Sequence, residues 1–109
     1  MPEIKQVTIG DVSYNIGQAY AKKQKTLLTL VGAGCAINSS AFDVDEIDEK
    51  YLMAFLLSMS EEKLDQVTDI VFSRTFKTGE DRPVCVDDFQ GRMSEFLKLV
   101  AFGVKHNLN

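Results

Sequence analysis

What this chain has little of narrows its function first. It contains no tryptophan, one histidine, two cysteines and two prolines in 109 residues. The lone imidazole, His106, falls three residues from the C-terminus, in what reads as a frayed, solvent-exposed tail. A general base needs a fixed position and an orienting partner, and the pattern offers neither. Cys35 and Cys85 stand far apart without CxxC or Cys/His spacing, so they read as reduced thiols, not as metal ligands. Cys35 falls in a loop, where a thiol can react; Cys85, between Val84 and Val86 on a strand, reads as a small packing residue. The opening "MPEIKQVTIGDVSY" alternates polar and apolar residues and reads as no secretory leader. Nowhere is there an apolar run of about 18 residues, which excludes a membrane-spanning helix. Basic charge is scarce too. The formal net charge is −4; the first 37 residues carry four lysines against Glu3 and Asp11, or +2, and the rest carries −6. An acidic chain without a basic stripe is a poor nucleic-acid binder, because such binding rests on neutralising phosphates. "AKKQK" reads as the solvated face of a helix.

What is present is ordinary for a globular domain: 45% hydrophobic and 26% charged residues. Such a length predicts one domain, 1–109, able to bury a core. In "KQVTIGDVSYNI", Val7 and Ile9 share a face with Val12 and Tyr14 if Gly10-Asp11 is a two-residue turn. This predicts a β-hairpin over about 3–16, closed by a type II′ turn with Gly10 at the position needing positive φ. From Gly17 the period lengthens: Tyr20, Gln24, Leu27, Leu28 and Val31 predict a helix over about 17–31 ending at Gly32 or Gly34. A second helix, about 46–58, starts in the acidic "DVDEIDEKY". A third, about 60–74, is capped by Ser58 or Ser60, Ser58 having capping-box spacing with Glu61; Leu64, Val67, Ile70 and Val71 form its inner stripe. "TFKTGEDRPVCV" predicts a second hairpin over about 75–86, with Pro83 at an edge. A last helix, about 88–105, is capped by Asp87 or Asp88 and turns Phe89, Met93, Phe96, Leu97, Val100 and Val104 inward. The expected fold is therefore α+β: an N-terminal β-hairpin, about four bundle-like helices and a second short hairpin before the C-terminal helix.

Two motifs invite a chemical reading and fail it. "LLTLVGAGCAINSS" suggests a dinucleotide loop, but the third glycine of G-x-G-x-x-G is Ile37. The preceding segment is helical by period, and no repeated βαβ unit is available for a parallel sheet. Termination of a helix is the better reading, followed by a loop able to act as a hinge. "DVDEID" suggests calcium, but a loop starting at Asp43 holds Asp48 where Gly is required and Ala54 where Glu is required. No cofactor, metal site or catalytic constellation is expected.

The surplus lies in apolar surface. Tyr51, Leu52, Met53, Phe55, Leu56, Leu57 and Met59 cannot all face one core stripe. Either the second helix is covered on all sides, or it presents a patch to a partner, the methionines supplying adaptable contacts. On the second reading the partner-binding residues are Met53, Leu56, Leu57 and Met59, with Leu27 and Leu30 from the first helix.

The order of elements resembles the small tail assembly chaperones of long-tailed bacteriophages and prophages. The resemblance rests on "TIGDVSYNIG", "AYAKKQKTLLTL", "LLSMSEEKLDQVTDIVFSRT", a short β segment and "FQGRMSEFLKLVAFGVKHNL". It implies a non-enzymatic protein of the bacterial host cytoplasm, absent from the mature virion. Such a protein binds the long helical tape measure protein, keeps it soluble and helps recruit tail tube protein. It further implies a longer frameshifted form, this chain being the shorter product. The residues alone also allow a generic adaptor subunit of a cytosolic complex, and they leave a homo-oligomer open.

Overall fold

A computed structural model describes residues 4–32 and 49–108. The chain begins with β1 (Ile4–Ile9) and β2 (Val12–Gly17), followed by α1 (Ala21–Gly32). Further along come α2 (Glu49–Ser58), α3 (Glu61–Phe72), a three-residue strand β3 (Thr75–Lys77), a 3-10 turn (Val86–Phe89) and α4 (Met93–Leu108). The N-terminal hairpin forms as its alternation predicts. Ile9 pairs with Val12 across Gly10-Asp11, and Gly10 takes φ +62°, which a side chain would disfavour. Val7, Ile9, Tyr14 and Ile16 point to the helical layer, while Ile4, Gln6 and Thr8 lie on the outer face.

The second hairpin does not form. β3 instead joins the first hairpin, pairing antiparallel with β2 through Tyr14↔Lys77, Asn15↔Phe76 and Ile16↔Thr75, to give a sheet of order β1-β2-β3. The returning limb makes a single bridge, Phe76↔Pro83, with the Val84 amide donating to the Thr75 carbonyl at 2.9 Å. Proline has no N–H to extend that ladder, so the limb stops at a bridge.

α1 begins four residues later than the period suggests, because its approach is held by other elements. The Gly17 amide donates to the Arg74 carbonyl at 2.7 Å, and the Ala19 amide to Asn107 Oδ1 at 2.7 Å. Gln18 Nε2 donates to the His106 carbonyl at 3.1 Å. Residues 18–20 are thus pinned to the end of α4, not wound into the helix. Tyr20, expected on the inner stripe, is exposed and carries the Arg74 guanidinium over its ring at 5.3 Å. Ser60, not Ser58, caps α3: its Oγ accepts from the Lys63 amide at 3.2 Å. Ser58 Oγ donates instead to the Phe55 carbonyl inside α2.

α4 is the axis of the molecule, packed against α1, α2, α3, β1, β2 and the 3-10 turn. Leu99, Val100, Ala101 and Val104 are fully buried, as are Val67 and Val71 of the facing α3. At the α3–α4 crossing Gly103 lets the backbones meet, since a Cβ there would overlap Val71 Cγ1. Tyr14, Phe72, Phe89 and Phe96 cluster at the other end, with ring centroids 5.8–6.0 Å apart. The final helix starts at Met93 and not at residue 88. Gly91 at φ +78° interrupts it, so Phe89 enters the core from the 3-10 turn and Met93 is exposed. The helix also runs past Lys105, which removes the frayed tail: His106 is 6% exposed and Asn107 is buried. Asn107 Nδ2 donates to the Gly103 carbonyl while its Oδ1 receives Ala19, satisfying a polar side chain in the interior.

Candidate partner-binding surface

α2 is the element on which the candidate surface rests. Among the main helix contacts it packs on α4 alone, whereas α1 meets both α3 and α4. With α4 as its main helical neighbour among the described residues, α2 buries one stripe: Leu52 and Leu56 are fully enclosed, and Met53, Phe55 and Met59 lie half-buried at its margins. The opposite face carries Tyr51, 49% exposed, and Leu57, 69% exposed. At the N-terminal end Lys105 Nζ of α4 reaches Glu49 Oε1 at 3.3 Å and ties the two helices together.

The six expected partner-binding residues are therefore divided. Leu57 is open, Met53 lies one turn before it at partial exposure, and Met59, just past the end of α2, is partly buried against the core. Leu56 and Leu27 are 0% exposed core residues, so a partner cannot touch them in this arrangement. Leu30 is partly buried on α1, a helix that meets α4 separately from α2. The burial of Leu56 has a simple cause. The composition of α2 shows surplus apolar area, but which neighbour lies buried depends on the direction from which α4 approaches. Tyr51, part of that surplus, belongs with Leu57 on the exposed side.

A second feature was not legible as a unit. Between β2, β3 and the 3-10 turn lies a cleft of about 120 Å³, lined by Val12, Tyr14, Lys77, Arg82, Asp88 and Arg92 among others. Its organiser is Asp88. Both carboxylate oxygens accept from Arg82 at 2.9 Å, and one also accepts the Cys85 amide at 3.0 Å. The hydrogen bonds from Arg82, then that from Cys85, hold the Asp88 carboxyl down at about 2, against an ordinary 3.8. Arg82 is held above its ordinary value by the same pairing. Arg92 donates to the Asp88 carbonyl at 2.6 Å and lies 5.4 Å over the Phe89 ring. Lys77 pairs with Glu80 at 3.5 Å. The charges of the cleft are thus spent on holding residues 77–92 together.

Cys85 is exposed, contrary to its expected packing role. Its neighbour Val84 is the buried one, its amide fixed by the bond to Thr75. Among the described residues no group of His, Cys, Asp and Glu is placed to hold a metal ion. Gly34, Cys35, Ile37 and the acidic run from Asp43 to Asp48 lie outside the described residues, as does the proposed hinge.

A family model described as phage tail assembly chaperone protein, TAC, matches residues 10–109 of the chain. The chain belongs to that family. No curated protein and no solved structure matches it. The family is generally non-catalytic. No helix among the described residues is long and apolar enough to cross a membrane. The match begins at Gly10, at the hairpin turn, so β1 lies outside it.

Proposed function

We propose that this tail assembly chaperone binds the tape measure protein through the exposed side of α2 and keeps it soluble while tail tube protein is recruited. The observation that carries the reading is the exposure of Leu57 and Tyr51 on a helix whose other side is anchored to α4. A long helical client presents apolar residues at three- and four-residue spacing, and such a stripe fits beside a short apolar ridge that has Met53 at its margin. Met53 and Met59 supply deformable margins, and Leu30 extends the contact if the client also reaches α1. The protein acts in the host cytoplasm and leaves before the virion is complete.

The test is co-expression with the tape measure protein encoded beside it. The wild-type chain raises the soluble fraction of that client, and Leu57→Glu combined with Tyr51→Glu abolishes the effect while the variant's own melting curve is retained. An unchanged soluble fraction with the wild-type chain, or full activity in the double variant, rejects the reading.

A further inference from the structure

The outer edge of β1 is unpaired among the described residues, and its chemistry is self-complementary. In the sheet order β1-β2-β3, β1 has one neighbour. The two-residue turn makes Ile9↔Val12 a hydrogen-bonded pair, so Val7 and Lys5 also direct their amides and carbonyls to β2. Thr8↔Ser13 is then a pair without ladder bonds, where side chains come closest, and their hydroxyls do meet at 3.0 Å. It follows that Ile4, Gln6 and Thr8 turn their backbone N–H and C=O groups outward, away from β2. The usual protections of such an edge are a bulge, a proline or charged side chains. Across Ile4–Ile9 the register runs unbroken and contains no proline, and Lys5 is its one charged residue.

We propose that this edge pairs with the same edge of a second copy of the chain, antiparallel about a two-fold axis through Gln6, to give a continuous six-stranded sheet. The register follows from the outward residues. With Gln6 on the axis, Ile4 pairs with Thr8 of the second copy and Gln6 with Gln6, which uses every outward group and forms about six backbone hydrogen bonds. An axis at Lys5 sets two ammonium groups opposite one another and leaves Thr8 without a partner among the described residues; an axis at Val7 sets Ile4 against Gly10, which lies in the turn and outside the strand. The Gln6 axis instead lays each Lys5 beside Val7 of the other copy, where its aliphatic stem packs. A carboxamide both donates and accepts, so Gln6 can bond to its own image across the axis. Ile4, 71% exposed in the single chain, is covered in the pair by Thr8 of the second copy. The interface is independent of the α2 face and of any client.

Sedimentation equilibrium over about 1 to 500 μM, with circular dichroism to verify the fold, tests the proposal. The wild-type chain sediments as a dimer at the upper concentrations. Gln6→Lys, which places like charges opposite each other on an exposed face, weakens self-association by about tenfold or more with unchanged melting. Gln6→Glu alone does the same, and an equimolar mixture of Gln6→Lys and Gln6→Glu restores a dimer, because the two side chains meet only across the axis. A wild-type monomer throughout the range overturns the proposal. So does a dimer that survives Gln6→Lys but dissociates with Leu57→Glu, which places the contact on α2.

Discussion

α2 and α4 are both apolar helices, and α2 is the more apolar of the two by composition. Yet Leu57 of α2 stands open to solvent while Leu99, Val100 and Val104 of α4 are fully enclosed. The difference lies in neighbours. α4 is packed by three helices and by two strands of the sheet, and α2 principally by α4. Apolar content fixes how much surface a helix would benefit from burying; the number of elements around it fixes how much is buried. Among the described residues, α2 is thus the helix that keeps part of its apolar surplus outside the core.

The contrast can be broken most severely at α4. Replacing Leu99, which is fully buried, with alanine leaves a cavity that surrounding helices cannot fill and costs about 3 to 4 kcal/mol, measurable as a fall in urea midpoint. At the α3–α4 crossing, Gly103→Ala improves helix propensity yet drives a methyl into Val71. Overpacking of a rigid β-branched neighbour wins, with a net loss of about 2 kcal/mol. The double variant with Val71→Ala costs less than the sum of the two single changes, which a double-mutant cycle reads directly.

The Asp88 cluster gives a smaller effect with a pH signature. Asp88→Ala removes the Arg82 pair and the bond to the Cys85 amide and costs on the order of 1 kcal/mol, as losses of capping carboxylates do. The folded-state pKa is depressed, so this contribution is present above the ordinary value of 3.8 and lost as pH falls toward about 2. Acid titration of thermal stability accordingly shows a decline between those values that the variant lacks. The smallest effect on folding is expected where the effect on function is largest. Leu57→Glu, on the exposed face, changes stability by no more than about 0.5 kcal/mol while it removes client binding in the co-expression assay. The same change at its neighbour Leu56 buries a charge and unfolds α2 from α4. The pair of adjacent leucines thus separates folding from function within one turn of helix.

How far the residues announced this arrangement varies with the range of the interactions involved. The hairpin was readable because Gly10-Asp11 and the alternation around it are local. The inner stripe of α3 was readable because Val67, Ile70 and Val71 recur at helical spacing, and the excess of apolar side chains on α2 was visible as composition. Residues 17–20 read as helix, yet the amides of Gly17 and Ala19 answer to Arg74 and Asn107, far along the chain. His106 read as tail because nothing local signals that Gln18 will hold the last turn of α4. Of the expected surface, Leu57 is exposed and its neighbour Leu56 is buried, a difference that composition alone could not show since both satisfy the same argument.

The sequence by itself determined the α+β class, the positions of the main helices, the first hairpin with its turn and the family resemblance, because each rests on periodicity, turn chemistry or element order written in neighbouring residues. Tertiary structure alone decided that β3 extends the first sheet and does not start a second hairpin. It also decided that α4 and not α2 is the central helix, and which side of α2 faces outward. These are choices among surfaces of similar chemistry, and they are made by the packing of elements distant in the chain, where a single glycine at a helix crossing or a proline without an N–H settles which pairing is possible.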